Sequence, residues 1–165
     1  MPKTILNVKF KLPLLVVCLF SPLLLAECVK ISSPNPAVVL QSLFLPIFQP
    51  PNWLFIFIWV ILYLVMGFSL YMILITNKLN DHSKNVAVAY FFSQLALSYL
   101  WFIVFFAFQY RGLSVLIIAF LLALVIAVWK RLRAISAFTS RLWLLYIIWL
   151  SFAAILNYSI WIINL

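Results

Sequence analysis

The chain has 165 residues, of which 68% are hydrophobic and 8% are charged. Because a soluble domain carries about 25% charged residues on average, this composition argues against a soluble globular protein. The net charge of +9 comes from basic residues at the ends of apolar runs, which indicates a membrane orientation signal and argues against a nucleic-acid-binding face.

Five apolar runs predict an all-α integral membrane bundle of five transmembrane helices in one domain, residues 1–165. In chain order the predicted spans cover about 12–29, 53–76, 86–109, 113–130 and 142–163. About 20 helical residues cross the roughly 30 Å of hydrocarbon, and lipid offers the backbone no hydrogen-bond partner, so these runs are expected to be helices. The alternating polarity of transmembrane β-strands is absent from the sequence.

The first span has a second interpretation. Three lysines followed by the apolar run 12–26 are also typical of a signal peptide, and its removal would leave four spans. Glu27 is the wrong residue to precede Cys28 at a lipoprotein cleavage site. We therefore expect the first span to be retained, with cleavage as the alternative.

The long connector 30–52 contains five prolines. Its apolar stretch, 38–48, is expected to lie as a short helix in the membrane interface or to cap the bundle. Long loops are often functional lids, but a passive surface loop remains an equal alternative. In the short turn 109–112, Gly112 is expected to cap the end of the third span.

Lys and Arg are unevenly distributed between the connectors. With five spans, the N-terminus and the connectors 77–85 and 130–141 share one side of the membrane. That side carries nine basic residues: Lys3, Lys9, Lys11, Lys78, Lys84, Lys130, Arg131, Arg133 and Arg141. The other side carries Lys30 and Arg111. This bias predicts a cytoplasmic N-terminus, in a bacterial cytoplasmic membrane.

Conventional catalytic and metal-binding sets are not found in the sequence. Glu27 and Asp81 lie near opposite membrane faces and cannot form a carboxylate pair. His82 lies in a polar connector and is expected to be solvated. Cys18 and Cys28 lack a metal-ligand spacing. The sequence therefore predicts no metal site and no covalently bound cofactor, and the uncharged later spans argue against an ion-coupled transporter.

Aromatic residues are the main candidates for function, with 16 Phe, 7 Tyr and 7 Trp. Helical spacing places mixed aromatic, small and amide residues in one stripe on each of three spans. The stripes comprise Phe55, Trp59, Tyr63 and Gly67, then Gln94, Ser98, Trp101 and Phe105, and finally Trp149, Ala153, Asn157 and Trp161. Such stripes suit a pocket for a flat apolar ligand, with Gln94 or Asn157 orienting a polar group. Ordinary helix packing is the other interpretation, slightly favoured on spacing alone.

Three ordered motifs carry a resemblance to a known family. The second span contributes Pro50, Pro51, Asn52, Trp53, Leu54, Phe55, Trp59, Leu62, Tyr63, Met66 and Gly67. The third contributes Gln94, Leu95, Ala96, Leu97, Trp101, Phe105 and Phe106, and the fifth Tyr146, Trp149, Phe152, Ala153, Leu156, Asn157, Tyr158 and Trp161. Over residues 50–161 the chain resembles the TspO/MBR family, which includes bacterial tryptophan-rich sensory proteins and the mitochondrial translocator protein (peripheral-type benzodiazepine receptor).

The resemblance implies a five-helix bundle, usually a homodimer in the lipid bilayer, that binds tetrapyrroles such as protoporphyrin IX. By motif match, Trp59 and Trp149 would line the pocket. Spacing and resemblance together give as ligand-binding residues Trp59, Tyr63, Gln94, Trp101, Trp149, Ala153 and Asn157. A tetrapyrrole-binding sensor or regulator is the favoured function. The alternatives are light-dependent porphyrin breakdown through Trp59 or Trp149, facilitated transport of small amphiphiles, and a structural protein without a ligand.

Overall fold

The computed structural model describes residues 11–31 and 33–165, and there the chain forms a bundle of helices. The helices are α1 (Leu12–Ile31), α2 (Pro36–Gln41), α3 (Asn52–Ile75), α4 (Asp81–Phe102), α5 (Arg111–Ile135) and α6 (Ala137–Ile163), with a π-helical turn, Ile103–Ala107, that continues α4. Within the described ranges, five helices are long and apolar enough to cross a membrane, all except α2. The prediction of an all-α, five-span membrane protein is confirmed.

The observed helix bounds differ most from the predicted spans at the basic connector. Instead of a loop over 130–141, α5 continues to Ile135 and α6 begins at Ala137. Lys and Arg are good helix formers, so basic sequence does not end a helix. Ser136 separates the two helices, and its hydroxyl accepts a hydrogen bond from the Thr139 N–H at 3.3 Å, which caps α6.

The start of α4 also differs from the predicted bounds. The helix begins at Asp81, five residues before the expected span, because Asn80 acts as its N-cap. The Asn80 side chain accepts a hydrogen bond from the Ser83 N–H at 2.8 Å. Polar residues predicted to form a loop therefore form the first turn of a transmembrane helix.

The α3, α4, α5 and α6 helices surround a common core, and α1 packs mainly along α3. Gly67 allows this close approach, because a Cβ at this position would collide with the Cys18 carbonyl oxygen and lie 2.6 Å from Leu19 Cα. One turn further along α1, the Tyr99 hydroxyl donates to the Pro22 carbonyl oxygen at 2.7 Å. The first span is thus packed into the bundle through backbone contacts.

The short turn before α5 is built differently from the sequence expectation. Gln109, with φ of 56°, takes the left-handed conformation. Gly112 is the second residue of α5, so it does not cap the end of the third span. A Cβ at Gly112 would lie 3.1 Å from the Trp161 indole, which indicates that this glycine makes room for a ring from α6.

Most of the described basic residues lie at one end of the bundle, whereas Lys30 and Arg111 lie at the other. The Lys78 ammonium donates to the Ile135 carbonyl oxygen at 2.8 Å, joining the α3–α4 connector to the end of α5. Arg131 lies over the Tyr90 ring at 4.5 Å. Lys3 and Lys9, which also support the predicted orientation, lie outside the described residues.

The long connector forms a short cap at the opposite end of the bundle. Its helix α2 begins after Asn35, whose side chain accepts a hydrogen bond from the Ala37 N–H at 3.0 Å. After α2, the Asn164 side chain binds the Phe44 backbone at both its N–H and its carbonyl oxygen, each at 2.9 Å. This pair of hydrogen bonds, the Asn164 clasp, ties the connector to the end of α6.

Candidate functional site

A cavity of about 210 Å³ lies at the connector end of the bundle, between α1, α2, α3 and α4. Its aromatic wall comes from three residues of α3, Phe55, Trp59 and Tyr63, which share one helix face because they are four residues apart. Ala37 and Leu40 of α2 form part of the lining, so the cap contributes directly to the cavity.

The ring pair Trp59 and Trp101 forms the centre of this wall. Their rings are stacked with centroids 6.0 Å apart and an interplanar angle of 21°. Tyr63 continues the row, with its ring centroid 5.8 Å from that of Trp59. The described wall is therefore a row of overlapping rings, a surface suited to a planar apolar ligand.

The π-helical turn brings further rings to the site. In this turn the Phe108 N–H donates to the Ile103 carbonyl oxygen at 3.0 Å, five residues back. The extra residue turns consecutive side chains inward, and Phe105 and Phe106 are both buried. Phe105 stacks on Trp101 with centroids 5.8 Å apart, and Phe106 lines the cavity.

A second void, of about 30 Å³, lies beside the cavity toward α6. Ala153 and Asn157 line it, as does Gln49 of the connector. Four residues line both spaces and thus form the partition between them: Leu40, Phe55, Trp101 and Phe106. Residues predicted as one pocket are therefore divided between two adjacent spaces.

Asn157 holds the partition in place. The Trp101 indole N–H donates to Asn157 Oδ1 at 2.8 Å, and the Ser114 hydroxyl donates to the same oxygen at 3.0 Å. The Asn157 amide group donates to the Arg111 carbonyl oxygen at 3.4 Å. Since both ends of the amide are engaged, Asn157 positions Trp101 in this conformation.

Gln94 lies in the core and lines neither of the two voids. Its Oε1 accepts a hydrogen bond from the Tyr146 hydroxyl at 3.2 Å, which joins α4 to α6. Its amide nitrogen finds no hydrogen-bond partner among the described residues. Gln94 thus connects helices behind the aromatic wall.

Trp149 also lines neither void, and the Phe55 ring lies between Trp149 and the cavity. Its ring centroid is 5.5 Å from Phe55 and 5.3 Å from Phe152. Phe55 in turn lies 6.3 Å from Trp59. The two predicted pocket indoles are therefore joined through one phenyl ring.

Several buried polar atoms in this region lack a partner in the described part of the chain. They are Trp59 Nε1, Gln49 Oε1 and Trp149 Nε1. Buried polar groups are usually hydrogen-bonded, so each exception calls for an explanation. Trp59 and Gln49 lie in the walls of the two voids, which are otherwise largely apolar.

Sequence reasoning missed the contribution of α1 and α2 to the cavity. Ala26, Glu27 and Lys30 of α1 line it together with Pro36 of α2. Glu27 and Lys30, near the end of the first span, were a sequence signal that α1 could contribute to a site. Whether they line a cavity depends on how α1 packs against the other helices, which the sequence does not show. No group of three or more His, Cys, Asp or Glu residues that could hold a metal ion occurs in ranges 11–31 and 33–165.

Comparisons with known proteins agree with this architecture. The model of the TspO/MBR family matches residues 14–162. A tryptophan-rich protein TspO of Archaeoglobus fulgidus is 39% identical over 121 residues, 72% of this chain and 75% of the relative. One from Chlorobaculum tepidum is 34% identical, covering 80% and 84% of the two chains. The translocator protein of Sus scrofa is 32% identical, covering 70% and 69%.

Proposed function

The chain belongs to the TspO/MBR family, and from this premise we propose that it is a membrane sensor or regulator that binds a tetrapyrrole such as protoporphyrin IX. The observation that carries the proposal is the row of rings formed by Phe55, Trp59, Tyr63 and Trp101 along one wall of the cavity. A porphyrin is a large planar apolar molecule, and offset stacking on aromatic rings contributes beyond the burial of area.

The size of the cavity bears on how such a ligand is accommodated. Sites for drug-sized ligands usually have about 300–1,000 Å³, whereas this cavity has about 210 Å³. The second void adds about 30 Å³ behind Phe55 and Trp101. We therefore propose that a tetrapyrrole moves the α2 cap outward and displaces the partition.

The cap is attached in a way that suits such a movement. It has six residues, and the connector that follows it is held by the Asn164 clasp and by a Phe48–Phe152 ring contact at 6.3 Å. These contacts are few beside those between the spans. Segments with few buried contacts open at lower free-energy cost than the core.

Titration of the purified protein in nanodiscs with protoporphyrin IX tests the proposal. We expect tryptophan fluorescence to fall saturably, and Trp59→Phe to weaken binding by about threefold or more because a stacked indole is lost. Trp129→Phe is the matched control, since Trp129 pairs with Arg133 at the opposite end of the bundle, with 5.1 Å between the Arg133 guanidinium and the indole.

Two results would contradict the proposal. One is quenching that rises linearly with porphyrin, as in nanodiscs without protein, because it would indicate partition into lipid only. The other is equal weakening by Trp59→Phe and Trp129→Phe, because the ring row would then have no special part in binding.

A further inference from the structure

The rim of the cavity carries a pair of opposite charges. Glu27 and Lys30, one turn apart near the end of α1, both line the same cavity as Trp59. The Lys30 ammonium lies 3.2 Å from Glu27 Oε2, and the two side chains are 51% and 61% exposed. The site thus combines aromatic walls with a charged rim, an arrangement that suits an amphiphile.

The attraction within this pair is weak. An exposed ion pair contributes about 0–1 kcal/mol, since water screens it. A carboxylate on an incoming molecule can therefore replace Glu27 as the partner of Lys30 at little cost. Among the described residues, Lys30 is the one basic side chain that lines the cavity.

A second feature of the rim favours a negative charge. Asn52, the first residue of α3, also lines the cavity. The first turn of α3 contains no acidic residue, and its N-cap, Pro51, offers no side-chain hydrogen bond. The positive end of the helix dipole and the uncapped N–H groups therefore lie beside the same rim.

The interior adds hydrogen-bonding groups that a ligand can use. Trp59 and Ser98 are at least nine-tenths buried in the cavity wall, and the Trp59 indole N–H has no partner in the described ranges. Since the indole only donates, it favours a ligand with an acceptor on its ring system.

We propose that this cavity selects planar amphiphiles that bear a carboxylate, with the rings against the aromatic wall and the carboxylate on Lys30 in place of Glu27. The inference rests on the proposed function and deepens it, because it assigns the acidic class of ligand and the residue that selects it. Glu27 acts in the opposite sense, since it competes for Lys30 and repels the incoming anion.

The test compares protoporphyrin IX, a dicarboxylic acid, with its uncharged dimethyl ester, in nanodiscs of zwitterionic lipid. We expect the native chain to prefer the acid by about threefold to fivefold, the range of an exposed ion pair. Lys30→Met should abolish this preference by lowering the affinity for the acid. Glu27→Gln should increase it, and high salt should reduce it.

Two further variants serve as controls. Lys30→Arg keeps the positive charge and should keep the preference, which separates loss of charge from loss of fold. Lys130→Met removes the same charge near the opposite end of the bundle, from the exposed Lys130, and should leave the preference unchanged.

The outcomes distinguish the two proposals. If both probes bind the native chain equally, or if Lys30→Met keeps the preference, the inference about Lys30 is overturned while the proposed function stands. If neither probe binds saturably, the proposed function fails and the inference fails with it.

Discussion

Asn157 illustrates the difference between a residue's position and its role. Its place in an aromatic stripe predicted contact with a ligand, and it does line the smaller void. Its amide, however, is bonded to the Trp101 indole, the Ser114 hydroxyl and the Arg111 carbonyl oxygen. In the structure it fixes a ring of the cavity wall, so its effect on a ligand passes through Trp101.

Replacing Asn157 by Leu tests this role. Leu has a similar volume but leaves the buried Trp101 N–H without its acceptor, so we expect a loss of about 1–2 kcal/mol in stability and a lower Tm. Tyr158→Phe is the control on the same helix, since Tyr158 is 52% exposed. Equal Tm values for the two variants would show that the Asn157 bonds add no net stability.

Part of the site was predictable from residue spacing, for a physical reason. Helical periodicity identifies which residues share a face, and this was sufficient for Phe55, Trp59 and Tyr63. It does not identify what packs against that face. Gln94 shares a face with residues of the cavity and Trp149 with residues of the smaller void, yet Tyr146 and Phe55 cover them. The assignment of all seven predicted residues to ligand binding stays a prediction.

At the scale of elements, the α1–α3 contact depends on one small residue. The backbone at Cys18 and Leu19 lies where a Cβ of residue 67 would be. Small residues at such crossings let helices approach closely and gain van der Waals contact. Gly67 was predicted as part of the pocket stripe, whereas the structure places it at a packing contact.

Gly67→Ala should therefore push α1 away from α3. We expect a destabilisation of about 1–3 kcal/mol, typical of an overpacked site, with earlier thermal unfolding. Gly112→Ala is the matched control, because its added methyl group would meet the Trp161 side chain at 3.1 Å instead of backbone. If Gly112→Ala were the more damaging change, the close contact at Gly67 would not be a main determinant of stability.

The existence of the five spans was predictable, but two local elements were not. Span length and hydropathy depend only on composition, so the bundle followed directly from the sequence. The π-helical turn and the left-handed Gln109 depend on how the end of α4 packs against its neighbours. No propensity in Ile103–Ala107 distinguishes a π turn from a continued α-helix.

At the scale of the whole molecule, most of the positive charge lies away from the cavity. The described basic residues are concentrated at the end opposite the α2 cap, where Lys78 bonds Ile135 and Lys84 donates to the Thr76 carbonyl oxygen at 3.4 Å. The positive-inside rule predicts that the cavity end lies away from the cytoplasm, and this orientation stays a prediction. The dimer implied by the family resemblance stays a prediction.

Cysteine labelling tests the orientation. Gln41→Cys and His82→Cys, both at exposed positions at opposite ends, are introduced separately into a Cys28→Ser background and expressed in bacterial cells. We expect a membrane-impermeant maleimide to label position 41 in intact spheroplasts, and position 82 only after permeabilisation. The reverse pattern would mean that the basic end faces outward and the predicted topology is inverted.

The Asn164 clasp has a consequence for biosynthesis. Phe44 and Asn164 are 120 residues apart, so the ribosome synthesises all five spans before the partner of the Phe44 backbone is made. Until then, the N–H and carbonyl groups of Phe44 must use water or lipid headgroups as partners. The connector that covers the cavity is therefore secured only after α6 has been translated. A nascent chain halted earlier would lack both hydrogen bonds, and the cavity would stay open.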